Sequence, residues 1–269
     1  MAAATFRVAA IQTVSGTDVA ANLAAIEPFV AEAARQGAQL VLLPEYFGIF
    51  GSRATDKVTV RETEGRGLQQ EWLARLAREQ AIFLVGGSVP IATADPARVR
   101  SACLVFGPDG RRTARYDKMH LFAFSRGDER YDEARTIEPG TEPVVFAAPC
   151  GRIGLSVCYD LRFPELYRHY GDVALLLVPS AFTAVTGAAH WHLLLRTRAV
   201  ENQCYVLAAA QGGLHANGRR TYGHSILIDP WGDVVAELAQ GPGIVIGDVV
   251  AGRTAEVRRE LPALTHRRC

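Results

Sequence analysis

Short apolar runs alternate with helix-patterned segments along this chain, and that alternation restricts the fold more than any other feature of the sequence. Phe6 to Gln12, Leu40 to Leu43, Ile82 to Val89 and Cys103 to Phe106 set apolar and β-branched residues together between turn signals, as strands buried on both faces do. Between them, Asn22 to Gln36 and Gly67 to Gln80 place Ala, Leu, Ile and Val at helical spacing with charges opposite. Further strands are expected at Val144 to Ala147, Ile153 to Val157, Val173 to Val178, Cys204 to Ala210, Tyr222 to Ile228, Val234 to Leu238 and Ile244 to Val249. A helix from about Ala188 to Asn202 leads into the Cys204 strand, and "DPWGD" (Asp229 to Asp233) reads as a turn between two strands. The pattern is that of an α/β protein whose sheets are covered by helices. A chain of 269 residues buries about three quarters of its unfolded surface, and with no internal repeat or linker one domain over residues 1–269 is expected. Tyr46 to Gly65 and Asp117 to Pro143 keep neither period, and long loops inside a compact domain are usually functional or disordered.

Composition removes several function classes. Lys and Arg number 29 against 28 Asp and Glu, a net charge of +1, so no broad field draws nucleic acid or an anionic membrane. A small-molecule substrate fits better. The five cysteines, at 103, 150, 158, 204 and 269, are odd in number and form no CxxC pair, which argues against a disulfide framework and a structural zinc site. The opening "MAAATFRVAAIQ" has no basic region ahead of an apolar core, and no run of about 18 apolar residues follows. A reducing, cytoplasmic setting is expected.

Candidate chemistry gathers where the chain leaves strands. In "LVLLPEYF" Glu45 directly follows an apolar strand and a proline; a lone loop carboxylate is ordinarily solvated, but at a strand end of an α/β sheet a half-desolvated Glu gains the raised pKa of a general base. In "RYDKMHLF" Lys118 holds the same relation to the strand before it. Taken alone it reads as a surface lysine; pointing into a pocket, it stabilises an oxyanion and lowers a neighbouring thiol's pKa. Cys158 ends the apolar run "IGLSVC" and meets Tyr-Asp-x-Arg at once. Free cysteines often serve as small core hydrophobes, yet one that stands where a strand ends is placed as a nucleophile is. "GLSVC" lacks the closing glycine of a G-x-S-x-G elbow, which weakens a serine hydrolase reading. No histidine lies in a local signature that would pair it with a cysteine. His190 and His192, two apart on a predicted helix, face different ways, so no metal site is expected there.

Glu45, Lys118 and Cys158 at their strand ends resemble the Glu-Lys-Cys triad of the nitrilase superfamily of carbon-nitrogen hydrolases. The likeness runs through "RVAAIQ", "LLPEYF", "RYDKMHLF", "GLSVCYDLRFPELYR" and "GHSILIDPWGDVVAE", in that order, over nearly the whole chain. Within the superfamily the chain resembles the amidase branch, and "PSAFTAVTGAAHWHLLLRTRAVENQCYVLAAAQGG" with "LPALTHRR" is similar to deaminated glutathione amidases. The resemblance implies a four-layer αββα sandwich that pairs through a helical face into a homodimer, with no metal or organic cofactor. It also implies a second glutamate in the loop after the lysine, which "RYDEARTIEPG" supplies as Glu133. Two positions depart from the family pattern: Ala123 stands where "HLFD" has Asp, and Ala134 replaces a Ser.

By that resemblance Cys158 attacks an amide carbonyl, Glu45 moves the protons, Lys118 and the Tyr159 N–H meet the oxyanion, and Glu133 keeps Lys118 charged and in place. The implied reaction is hydrolysis of deaminated glutathione to 2-oxoglutarate and cysteinylglycine through a thioester; omega-amidase action on 2-oxoglutaramate and nitrile hydrolysis use the same triad. A substrate carboxylate requires a cation, for which Arg162, four residues beyond Cys158, is the expected group; a structural ion pair with Asp160 or Glu165 is the competing role. His190 and Trp191 are expected to wall the pocket, with helix packing as an equal role for Trp191.

Overall fold

The computed structural model describes residues 5–127 and 129–268; Cys269, for which the sequence offers no role, lies outside them. In chain order the strands are β1 (Thr5–Gln12), β2 (Leu40–Leu42), β3 (Phe83–Ala92), β4 (Val99–Phe106), β5 (Arg112–Asp117), β6 (Ala123–Arg126), β7 (Glu129–Asp132), β8 (Val145–Ala148), β9 (Gly151–Leu155), β10 (Leu175–Ser180), β11 (Tyr205–Ala210), β12 (Ser225–Ile228), β13 (Val234–Leu238) and β14 (Gly243–Val250). The helices are α1 (Val19–Arg35), α2 (Asp56–Thr59), α3 (Leu68–Gln80), α4 (Pro164–His169), α5 (Ala184–Asn202) and α6 (Ala251–Glu260). One six-stranded sheet runs β14-β1-β2-β3-β4-β5, the other β13-β12-β11-β10-β9-β8, and β6 pairs with β7 as a hairpin. Each large sheet has a parallel trio at its centre, β1-β2-β3 and β9-β10-β11, with antiparallel strands outside it.

Alternation along the central strands explains the layering. Val8, Ala10, Leu40, Leu42 and Val85 join Leu155, Leu175 and Leu177 in one core between the sheets. Their neighbours Ala9, Ile11, Val41, Leu43 and Leu84 face the other way, onto Leu23, Ile26 and Val30 of α1 and Leu73 and Leu76 of α3. On the outer face of the second sheet, Leu166 of α4 and Trp191, Leu195 and Ala199 of α5 are buried. The order is therefore helix, sheet, sheet, helix, the four-layer αββα arrangement. Each Val, Leu and Ile among these contributes about 1.5–3 kcal/mol by leaving water.

Local signals set the helix ends. Asp18 caps α1 by accepting from the Ala21 N–H at 2.7 Å, and Thr183 caps α5 by accepting from the Thr186 N–H at 3.2 Å. Gly87 lies where β3 slips register against β4, and a Cβ there would stand 2.1 Å from the Leu43 carbonyl and 2.6 Å from Pro179. Only glycine lets the two sheets approach this closely beneath the loop that carries Glu45.

The second irregular stretch holds the β6–β7 hairpin, and the first holds α2. The expected strand over Ile153 to Val157 ends instead at Leu155, and beyond it the Val157 N–H leaves the ladder for the Asp160 carboxylate at 2.8 Å. Among the described residues no helix is long and apolar enough to cross a membrane.

Candidate active site

Glu45 and Cys158 stand just beyond the carboxyl ends of β2 and β9, members of the two parallel trios, and Lys118 follows β5 directly. The sheets face one another, so residues far apart in sequence meet at one rim. Lys118 Nζ donates to Glu45 Oε1 at 2.8 Å and to Glu133 Oε2 at 2.6 Å; the lysine side chain is 0 % and that of Glu45 1 % exposed. Glu133 also accepts from the Tyr46 hydroxyl at 2.7 Å and from the Phe122 N–H at 2.7 Å. The Cys158 thiol lies beside Glu45 and the Ala181 N–H, at the end of β10, close enough for each to act on its titration. Gln211, at the end of β11, donates to the Glu45 carbonyl at 3.0 Å and ties that loop to Ser15 at 2.9 Å.

Backbone strain accompanies this convergence. Cys158 and Tyr46 both have positive φ, 50° and 60°, without being glycine, a conformation that costs an L-residue about 1–2 kcal/mol. Cys158 opens a 3-10 turn, Cys158–Arg162, whose anchor is the fully buried Asp160. Its carboxylate accepts from Tyr116 OH at 2.7 Å, Val157 N–H at 2.8 Å and His120 N–H at 3.0 Å, and meets His120 Nδ1 at 2.7 Å.

Burial is the largest influence on all four ionisable groups, and it favours their neutral forms. At Lys118 the surrounding charges, Glu133 and Glu45 foremost, outweigh it and hold the ammonium well above the ordinary lysine value. At Glu133 the Lys118 charge, with donors from Lys118, Tyr46 and Phe122, outweighs it and keeps the carboxyl below its usual range. Glu45 has fewer donors: burial, with the charge of Glu133, exceeds the pull of Lys118, and its pKa is raised. Burial and the Glu45 charge push the Cys158 thiol well up, against Lys118 and the Ala181 N–H. The sequence leads one to expect Lys118 to lower the thiol's pKa. Its charge does act in that direction, but the other two influences exceed it, so the resting sulfur keeps its proton.

A cavity of about 1140 Å³ opens over Cys158 and Glu45. Its walls come largely from the two aperiodic stretches, including Phe50 and Lys57 from the first and Phe122 and Tyr131 from the second, with Arg219 from the loop before β12. Ala123 is on this wall, and Ala134 sits in the 3-10 turn of Glu133, donating its N–H to Asp132.

Two expected substrate contacts need correction. Arg162 and His190 do not line the cavity; the Arg162 guanidinium lies over the rings of Tyr159 and Phe182, 5.7 and 5.4 Å from their centroids, and 3.3 Å from His190 Nδ1. A 3-10 turn advances about 120° per residue, so the fourth position after Cys158 is carried round from the thiol. The alternative ion pair with Asp160 does not form either, since other donors fill that carboxylate. The Tyr159 ring packs edge-on against Phe122 and Phe163, at 5.3 and 5.4 Å. Trp191 is a core residue, packed on Phe182 at 4.9 Å.

Cations that sequence reading passed over face the cavity instead. Arg219 lies over Phe50 and Tyr131, 4.9 and 4.6 Å from the ring centroids. Lys57 Nζ donates to the Ala54 carbonyl and Thr136 hydroxyl at 3.1 and 3.2 Å, and burial holds its pKa below the usual lysine value. Among the described residues neither forms an ion pair. The signals were faint: Arg219 sits beside an Asn-Gly turn, and Tyr46 and Gln211 only adjoin recognisable features.

The chain is similar to known proteins over nearly its whole length. A family model described as carbon-nitrogen hydrolase matches residues 7–259. The deaminated glutathione amidase of Synechocystis sp. is 39 % identical over 265 residues, covering 96 % of this chain and 97 % of that protein. The omega-amidase of Homo sapiens is 37 % identical over 267 residues, covering 98 % and 95 %. Among solved structures, a hydrolase-superfamily protein from Xanthomonas campestris with an arsenic adduct in its active site superposes with a TM-score of 0.87 at 30 % identity, over 99 % of this chain and 98 % of that one. The chain belongs to the carbon-nitrogen hydrolase family, on the amidase branch of the nitrilase superfamily, and is a hydrolase of carbon-nitrogen bonds in amides.

Proposed function

We propose that the amide is cleaved through a thioester on Cys158, with Glu45 moving the protons, Lys118 stabilising the oxyanion and Glu133 holding Lys118. The observation that carries this reading is the buried contact of one ammonium with two carboxylates, one of which lies beside the thiol. Because the resting sulfur is protonated and Glu45 has a raised pKa, attack and proton transfer are coupled: the Sγ–C bond forms as the thiol proton passes to Glu45. Charge moves onto the carbonyl oxygen, where Lys118 and the Tyr159 N–H receive it, each such donor contributing about 3 kcal/mol to the transition state. The C–N bond breaks as Glu45 returns the proton to the departing nitrogen. Water then loses a proton to Glu45 and attacks the thioester; collapse frees the acid, and the sulfur recovers its proton. The arsenic adduct of the Xanthomonas relative supports a reactive thiol in such a site, since arsenic is thiophilic.

For the substrate, the reading favoured is deaminated glutathione, hydrolysed to 2-oxoglutarate and cysteinylglycine. Small-ligand pockets run roughly 300–1,000 Å³, so a cavity of about 1140 Å³ leaves room for a dipeptide leaving group. Arg219 and Lys57 suit a substrate with carboxylates at its ends. Omega-amidase action on 2-oxoglutaramate, whose leaving group is only ammonia, is the second reading, favoured by the human relative; a nitrilase is the third. Comparing kcat/KM for the two amides decides it: deaminated glutathione is expected to exceed 2-oxoglutaramate at least tenfold, and the reverse order overturns the assignment. A homodimer is proposed through α5, where Leu193 and Val200 are 67 % and 47 % exposed. The free thiols of Cys103, Cys150, Cys158 and Cys204 suit a reducing, cytoplasmic setting.

A further inference from the structure

We infer that His192, His224 and Glu237 form a binding site for a divalent transition-metal ion of the zinc type, separate from the amide site. Three elements supply the ligands: His192 from α5, His224 from the link into β12, and Glu237 from β13. None of them lines the cavity over Cys158. His192 Nε2 stands 2.8 Å and His224 Nδ1 2.5 Å from the same oxygen, Glu237 Oε1, and the three ligand atoms lie within 4.8 Å of one another. Tetrahedral zinc with bonds of about 2.1 Å keeps its ligands roughly 3.4 Å apart. Each imidazole therefore needs to part from the carboxylate by less than about 1 Å to admit the ion. Two imidazoles and a carboxylate suit zinc or its first-row neighbours, whereas magnesium and calcium prefer oxygen throughout.

The imidazoles are oriented before any ion arrives. Tyr222 stacks on the His224 ring at 4.3 Å and meets the His192 ring edge-on at 5.9 Å. The His224 N–H donates to the Ala239 carbonyl at 2.9 Å, and its own carbonyl accepts from Trp191 Nε1 at 2.8 Å. His224 is also held at a φ of 58°, after Gly223 at 73°, where a Cβ would come within 2.3 Å of the Ala239 carbonyl. These contacts hold the His224 ring and backbone in one direction. In the single chain the side chains of His192, His224 and Glu237 are 35, 22 and 28 % exposed, which leaves the ion a path in before α5 meets a second copy.

An ion here joins the outer helix layer to the edge of the second sheet, so it stabilises the folded chain by binding only that form. Thiols also take zinc, so the test uses the Cys158→Ala chain. Zinc chloride is titrated against its Tm, and bound zinc is counted after dialysis. The expected result is one zinc per chain and a saturable rise in Tm, both lost in His192→Ala and weakened at least tenfold in Glu237→Gln, with magnesium chloride giving no rise. His192 is partly exposed on a helix, so its replacement leaves a folded chain in which to read the loss. Absence of saturable binding, or one zinc per chain retained after His192→Ala, overturns the site and reduces the cluster to hydrogen bonds alone.

Discussion

Glu45 and Glu133 share one ammonium and yet shift in opposite directions, and their surroundings explain why. Glu133 gains Tyr46 OH and Phe122 N–H and stays charged; Glu45, with fewer donors, is left easier to protonate. Since only ionised Glu45 can take the thiol proton, kcat/KM is expected to fall as pH drops through its raised pKa, placing the acid limb above the ordinary glutamate value of about 4.3. Glu133→Gln removes a charge that pushes Glu45 up, so a pH–rate profile should show that limb moving to lower pH while kcat falls about a hundredfold through a misplaced Lys118. A limb that stays where it was would contradict the division of labour. Glu45 and Cys158 were legible in the sequence because each follows an apolar strand, and Lys118 because of the motif around it. Arg162 misled because spacing along the chain does not reveal a 3-10 turn, and Arg219 was missed because its cavity is assembled only by folding.

At the scale of elements, the turn carrying Cys158 depends on Asp160 more than on any residue that faces the cavity. Asp160→Ala strands the donors of Tyr116, Val157 and His120 in the interior, and is expected to destabilise the chain by about 3–5 kcal/mol in urea unfolding. A loss under about 1 kcal/mol would show that the turn holds itself. The central strands and the long helices were readable from their periods. β5 was not, because Arg112–Asp117 is an edge strand rich in charges. Nor was α6, whose buried residues are only Thr254 and Val257, or the β6–β7 hairpin, whose strands are four residues long and whose Ala123–Arg126 strand is mostly exposed.

At the scale of the molecule, two facing sheets with parallel centres bring the ends of β2, β5 and β9 to one rim. The number of layers was not readable from periodicity, which shows that a strand is buried on both faces but not whether helix or sheet covers each; resemblance supplied it. The exposed α5 stripe belongs to the same scale. Leu193→Asp places a charge where pairing through α5 would bury it, so sedimentation should show a dimer in the parent and a monomer in the variant; an unchanged sedimentation coefficient would move the interface elsewhere. The thioester is tested most directly by the intact mass of the protein after incubation with a slowly turned-over amide, compared between the parent and Cys158→Ala. The account expects the parent to gain the mass of the acyl group and the variant to gain nothing. An acyl adduct on both proteins, or turnover by the variant, would contradict it.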